Sequence, residues 1–169
     1  MSFYKMSQDM YNTRLIRFVN QIATNYKDFT ITNKSKIITG KFAVLGDEDH
    51  AHAEEVTNIL NEGGFEVLNN SARTIHYRNS SFTLYGQSIS TQEEIPTFDG
   101  FVLTLSHYPD SFSKNKGHTH LQLSGHSNGG TIWFPGIGPL VKCNNATTYN
   151  HGSYTESGSE LIVSNGVAP

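Results

Sequence analysis

Leu121-Gln122-Leu123-Ser124-Gly125-His126-Ser127-Asn128-Gly129-Gly130 is the stretch whose reading decides the fold. Leu121 and Leu123 alternate with polar residues, as in a short strand. The strand runs directly into Gly125-His126. The glycine pair that follows lets backbone approach a ligand or make a turn. Polar side chains delivered at a strand end are where α/β proteins build their sites. The same arrangement occurs upstream, where the apolar run Phe101-Val102-Leu103-Thr104-Leu105 ends in Ser106-His107. A third apolar run, Lys41-Phe42-Ala43-Val44-Leu45, reads as a buried strand closed by Gly46 and followed by a dense polar turn.

Outward from these three segments, Leu15, Phe18, Val19 and Ile22 recur at helical spacing behind Asn12-Thr13, which predicts a helix over residues 13–25. Residues 29–32 read as a strand. Val56, Ile59 and Leu60 share one face of a second helix over 53–62, with Glu54 and Glu55 complementing the dipole in its first turn. Gly63-Gly64 is the stop signal. From Phe65 the period shifts towards two, giving strands at 65–68, 74–78 and 82–86, the last two joined as a hairpin around Asn79-Ser80. After Thr131-Ile132-Trp133-Phe134, Pro135-Gly136 turns the chain. A Gly/Asn/Thr-rich loop is expected to about Gly152, and Leu161-Ile162-Val163 closes as a final strand. This order predicts an α/β fold, with helices packed on a mixed sheet or on two stacked sheets.

Composition narrows the function classes. The 169 residues suit one domain, taken as 1–169. Eight Tyr and ten Phe argue for a folded chain despite an apolar fraction of 36%. A net charge of −3 without a run of Lys or Arg leaves no footprint for nucleic acid or an anionic membrane surface. No apolar run approaches the roughly 18 residues of a membrane span, and Met1-Ser2-Phe3-Tyr4-Lys5 does not open a signal peptide, so a cytoplasmic location is expected. Cys143 is the only cysteine, which excludes an internal disulfide and a cysteine-based zinc cluster.

Taken together, Lys41 to Asp49, Leu103-Thr104-Leu105-Ser106-His107-Tyr108-Pro109-Asp110, and Leu121 to Pro135 resemble the later part of the calcineurin-like metallophosphoesterases. The resemblance is to the bacterial branch with a Leu-Ser-Gly-His-x-His-Gly-Gly pattern, and it spans roughly residues 41–166. It implies mixed β-sheets packed with helices. It also implies a site for two metal ions that activate a hydroxide and clamp phosphate oxygens. The family's first two motifs, Asp-x-His and Gly-Asp-x-x-Asp, do not occur ahead of Gly46. Two βα units need on the order of 60 residues, so those motifs are expected to be missing together with the N-terminal strands.

The remaining motifs carry over one residue at a time. Gly46-Asp47-Glu48-Asp49 stands where the family has Gly-Asn-His-Asp: Asp47 replaces a metal-binding Asn and still offers oxygen, and Glu48 replaces the His that acts on the leaving group or phosphate. Ser106-His107 is intact. In Gly125-His126-Ser127-Asn128 the first His remains, while Asn128 replaces the second and is a poor ligand for a transition metal. In the family the positions of Asp47, His107 and His126 serve one metal, whereas the missing Asp-x-His and the position of Asn128 serve the other. The resemblance therefore implies a half-site for one divalent transition metal, Zn, Mn or Fe, or for none.

Other histidines have plainer explanations. His118-Thr119-His120 precedes its strand and reads as a solvated loop, and His50 and His52 read as surface polarity before a helix. Cys143 reads as inert and Trp133 as core. Three functions follow: a degenerate metallophosphoesterase-like protein with little or no phosphoesterase activity; a residual mononuclear phosphoesterase acting on a phosphate-containing small molecule, with Glu48 handling the proton; and a homo-oligomeric interaction protein paired through a sheet edge.

Overall fold

The computed structural model describes residues 40–77, 79–89, 94–127, 132–134, 138–141 and 143–165, all within one compact unit, Ile38–Pro169. The expected helix at 13–25 and strand at 29–32 lie outside the described residues.

The chain enters as strand β1 (Lys41–Ala43), passes a 3-10 turn (His50–His52) into helix α1 (Ala53–Glu62), and returns as β2 (Phe65–Val67), which pairs parallel to β1. Helix α1 ends where the glycine pair predicts. Gly64 takes φ +76° and donates to the Asn61 carbonyl at 2.9 Å, the left-handed exit that glycine makes without strain. Strand β1 is half-buried rather than buried, and its pairing stops before Val44 and Leu45.

A six-stranded mixed sheet follows. Its strands are β3 (Ser71–Tyr77), β4 (Ser80–Gln87), β5 (Val102–Ser106), β6 (Leu121–Ser124), β9 (Gly152–Glu156) and β10 (Ser159–Val163), in the spatial order β3-β4-β5-β6-β10-β9. The two outer pairs are antiparallel hairpins, and β4, β5, β6 and β10 run parallel. Tyr77 pairs with Ser80, so β4 already begins at the second residue of the turn expected around Asn79-Ser80. Between β5 and β6 the chain makes a 3-10 turn (Pro109–Ser111) and a single helical turn, α2 (Phe112–Asn115). A separate antiparallel pair is formed by β7 (Ile132–Phe134) and β8 (Gly138–Val141).

The loop expected to run to Gly152 is corrected here. It contains β8, and at its end β9 folds back on β10 through Ser157-Gly158, both left-handed at φ +53° and +77°. Paired positive φ angles match the twist of a tight hairpin.

Leu68, Ile75 and Leu84 form one apolar cluster, against which Phe42 and Val44 pack together with Leu103 and Leu105 on β5. This contact seats the β1–β2 layer on the main sheet. It depends on Gly86, where a Cβ would lie 2.2 Å from Leu68 Cβ. Phe112 fills a second cluster with Tyr149, Leu161 and Val163, and Tyr85, Ile95 and Val102 make a third. The architecture is thus α/β, a sheet of parallel and antiparallel strands packed with helices.

The opposite face of β5 and β6 is polar yet closed. Asn115, Gln122 and Thr104 have no exposed surface, and Gln87 is 3% exposed. Asn115 Nδ2 donates to Gln87 Oε1 and Gln122 Oε1, both at 2.8 Å, while Gln122 Nε2 donates to Ser111 Oγ and Ser124 Oγ, both at 3.0 Å. Ser106 Oγ completes the set, 3.0 Å from Ser111 Oγ. No described buried side-chain donor or acceptor lacks a partner. Buried amides are tolerated only on that condition. The network binds Ser106 and Ser124, the last residues of β5 and β6, to one rigid base.

Candidate metal centre

Parallel pairing of β5 with β6 aligns Ser106 with Ser124, so the residues leaving both strands emerge at the same sheet edge. His107 and His126 thereby meet, with ring centroids 4.7 Å apart. The polar turn after β1 supplies the third member. Gly46 N–H donates to Asp49 Oδ2 at 2.8 Å, which folds the turn, and Asp47 reaches His107 Nε2 with Oδ1 at 2.9 Å. One donor atom from each of Asp47, His107 and His126 lies within 4.8 Å of the others. Gly46 permits this approach: a Cβ there would stand 2.9 Å from His107 Cε1.

His126 is held in an uncommon way. Its φ is +65°, and Ser127 N–H closes back on the Gly125 carbonyl at 2.7 Å, a three-residue turn of the rarer, positive-φ kind. For a non-glycine residue this geometry costs on the order of 1–3 kcal/mol and persists where surrounding structure enforces it, most often at functional sites. The ring nitrogens are then distinguished. Nε2 lies 2.8 Å from the Asn144 carbonyl, which can only accept, so Nε2 carries the proton. In the neutral ring the Nδ1 lone pair is left facing Asp47 Oδ2 at 3.7 Å, beyond hydrogen-bond reach. A carbonyl on the far nitrogen is the usual support of a metal-ligating histidine.

Protonation states suit the same use. Burial pushes the His107 imidazole below its ordinary pKa and outweighs the opposing hydrogen bond from Asp47. For Asp47, partial burial works against the charged form, but the His107 hydrogen bond and the charge of the two rings prevail and hold the carboxyl below its ordinary value. Asp47 is drawn towards its charged form by the rings beside it, whereas burial draws His107 towards its neutral form. Its ring is only 21% exposed against 42% for Asp47, so burial decides: an ionised carboxylate beside a neutral imidazole. Two imidazole nitrogens and one carboxylate oxygen are a donor set for zinc, manganese or iron. To ligate through Nε2, His107 would give up the proton it shares with Asp47.

The structure thus brings together three of the sequence-predicted residues. Glu48 is exposed on the adjacent turn, outside this cluster, and its N–H donates to Asp47 Oδ1 at 3.2 Å. Asn128 lies outside the described residues, as do the contacts of Trp133. His50 and His52 are exposed. His118 is half-buried, 3.6 Å from Glu94, and His120 accepts the Val102 N–H at 3.1 Å while stacking on Phe101. Two members of the site were not signalled by the motifs. Tyr108 packs against both rings, with centroids 5.1 Å from His107 and 4.9 Å from His126, and burial followed by the Asp47 charge raises its hydroxyl pKa. Asn144 acts through its backbone.

The chain is similar to a metallophosphoesterase. It is 26% identical over 140 residues to the uncharacterized metallophosphoesterase YkuE of Bacillus subtilis (strain 168), covering 76% of this chain and 49% of the relative. The chain thus spans about half the length of the curated relative it matches. No family model and no solved structure matches the chain. The similarity supports the metallophosphoesterase superfamily and suggests a divalent metal, and the structure offers a three-residue group able to hold one. Among the described residues no helix is long and apolar enough to cross a membrane.

Proposed function

We propose that this chain is a metallophosphoesterase-like protein in which Asp47, His107 and His126 hold one divalent transition metal, zinc, manganese or iron, and that alone it turns over phosphate esters little or not at all. The convergence of the three side chains, with the His126 Nε2 proton already committed to Asn144, carries this reading. A metal held by three protein ligands keeps open positions and acts as a Lewis acid towards a phosphate oxygen. Two-metal hydrolysis asks for more. Asn128, where an imidazole is needed, does not supply a second site.

The test is metal analysis of protein purified without chelator. Close to one metal per chain, lost in His107→Ala and in His126→Ala, is the expected result; none in the wild type removes the reading. Hydrolysis of a phosphodiester or monoester at ordinary enzyme rates, abolished by His126→Ala, would instead establish a working mononuclear enzyme with Glu48 as its proton carrier. A cytoplasmic location and self-association through a sheet edge belong to the same proposal.

A further inference from the structure

Asp110 lies three residues beyond His107 and touches neither metal-binding ring in the contacts described, yet it gathers the loop on which His126 depends. Its Oδ2 accepts Thr147 N–H at 2.8 Å and Thr147 Oγ–H at 2.9 Å. Its Oδ1 accepts Tyr149 N–H at 3.0 Å and Thr148 N–H at 3.1 Å. The Asp110 N–H itself donates to the Asn145 carbonyl at 3.0 Å. One aspartate therefore holds both ends of residues 145–149.

The Cys143–Ala146 segment ahead of this clasp is a tight turn, closed by Ala146 N–H on the Cys143 carbonyl at 3.1 Å, with Asn145 left-handed at φ +61°. Within that turn the Asn144 carbonyl is aimed at His126 Nε2. Asn144 and Asn145 are exposed, so without the clasp water competes for both the turn and the ring.

We propose that Asp110 is the positioning residue for His126: by pinning residues 145–149 it fixes the Asn144 carbonyl as acceptor of the Nε2 proton and so reserves Nδ1 as the ligating nitrogen. This rests on the metal-binding reading above. Loss of the clasp frees the carbonyl, lets the proton distribute between the two ring nitrogens, and weakens metal binding by about 10-fold or more, the scale on which outer-shell partners act.

The tautomer can be read without any metal. Long-range proton–nitrogen NMR on histidine-labelled, metal-free full-length protein is expected to show His126 protonated at Nε2 in the wild type. A mixture is expected in Asp110→Ala, and partial recovery in Asp110→Asn, which keeps one acceptor oxygen. Zinc titration of the same samples is expected to follow that order. A wild-type His126 protonated at Nδ1 would overturn the proposal even if Asp110→Ala failed to fold. An Asp110→Ala protein with an unchanged His126 signal would also overturn it. Failure of the wild type to bind zinc, manganese or iron would instead sink the metal-binding reading, and with it the ligand role of Nδ1, whatever the tautomer.

Discussion

Replacing Gly46 with alanine tests the centre with the least disturbance to the fold. Gly46 does not occupy the left-handed region, so its backbone accepts an alanine. The obstacle is the added methyl, placed 2.9 Å from His107 Cε1 and 3.2 Å from Nδ1. Ordinary carbon–carbon contact begins near 3.5 Å, so the ring must retreat by about 0.5 Å. Tyr108 and His126 already flank that ring, which limits where it can go. Metal–ligand distances tolerate only about 0.2 Å. Affinity should therefore fall by about 10- to 100-fold, or about 1.4–2.7 kcal/mol. Stability should hardly change: an off-rotamer ring costs about 0.5–1.5 kcal/mol, while Gly→Ala at a permissive backbone returns about 0.4–1 kcal/mol through the unfolded chain. Isothermal titration with zinc and calorimetric melting of the metal-free protein separate the two quantities. Wild-type zinc affinity in Gly46→Ala would refute the reasoning, because the close approach of the turn to His107 would then be irrelevant to binding. An equal loss of stability and affinity would refute it too, by showing that the turn supports the fold and not the ligand.

Gly86→Ala is expected to do the reverse, destabilising the protein by about 3 kcal/mol in a urea melt, since its Cβ would meet Leu68 Cβ at 2.2 Å and the Leu68 carbonyl oxygen at 2.9 Å. Burial, then the hydrogen bonds to Glu156 and the nearby negative charge, push the Tyr149 hydroxyl up to about 12 from about 10. A folded pKa above the unfolded one gives stability that is full below pH 10 and lost as pH rises towards 12. Alkaline melts should therefore show a steeper loss across that window in wild type than in Tyr149→Phe; parallel curves would contradict this. Light scattering at high concentration is expected to report a homo-oligomer, and a monomer would remove the self-association proposal.

Much of this was legible in the sequence where a local signal was strong. Helix α1 was bounded by its apolar face and by Gly63-Gly64, and β5 and β6 announced themselves as apolar runs ending in a histidine. That His107 and His126 belong to one site was what the metallophosphoesterase resemblance implied. Strand β9 was missed because its alternation, Ser153-Tyr154-Thr155, is short and follows a Gly/Asn/Thr-rich tract, although Ser157-Gly158 was a usable hairpin signal. Helix α2 has four residues, too few to display a helical period. The Asn144 carbonyl left no trace at all, since every residue carries one and only the tertiary fold chooses which is aimed at a ring. Tyr108 stands between Ser106-His107 and Pro109 with no spacing or motif to mark it as part of the site.

The closed amide cluster under β5 and β6 also bears on how this protein can change over generations. Truncating Asn115 would deprive Gln122 Oε1 of its donor and Gln87 Oε1 of one, and truncating Gln122 would deprive Asn115 of an acceptor and the Ser111 and Ser124 hydroxyls of a donor. Each orphaned group costs about 1–3 kcal/mol, a large share of a typical domain's margin. An apolar replacement therefore has no gradual route. The cluster can be exchanged only as a block, so the loops above it are free to diverge while the floor that aligns the two histidines is not.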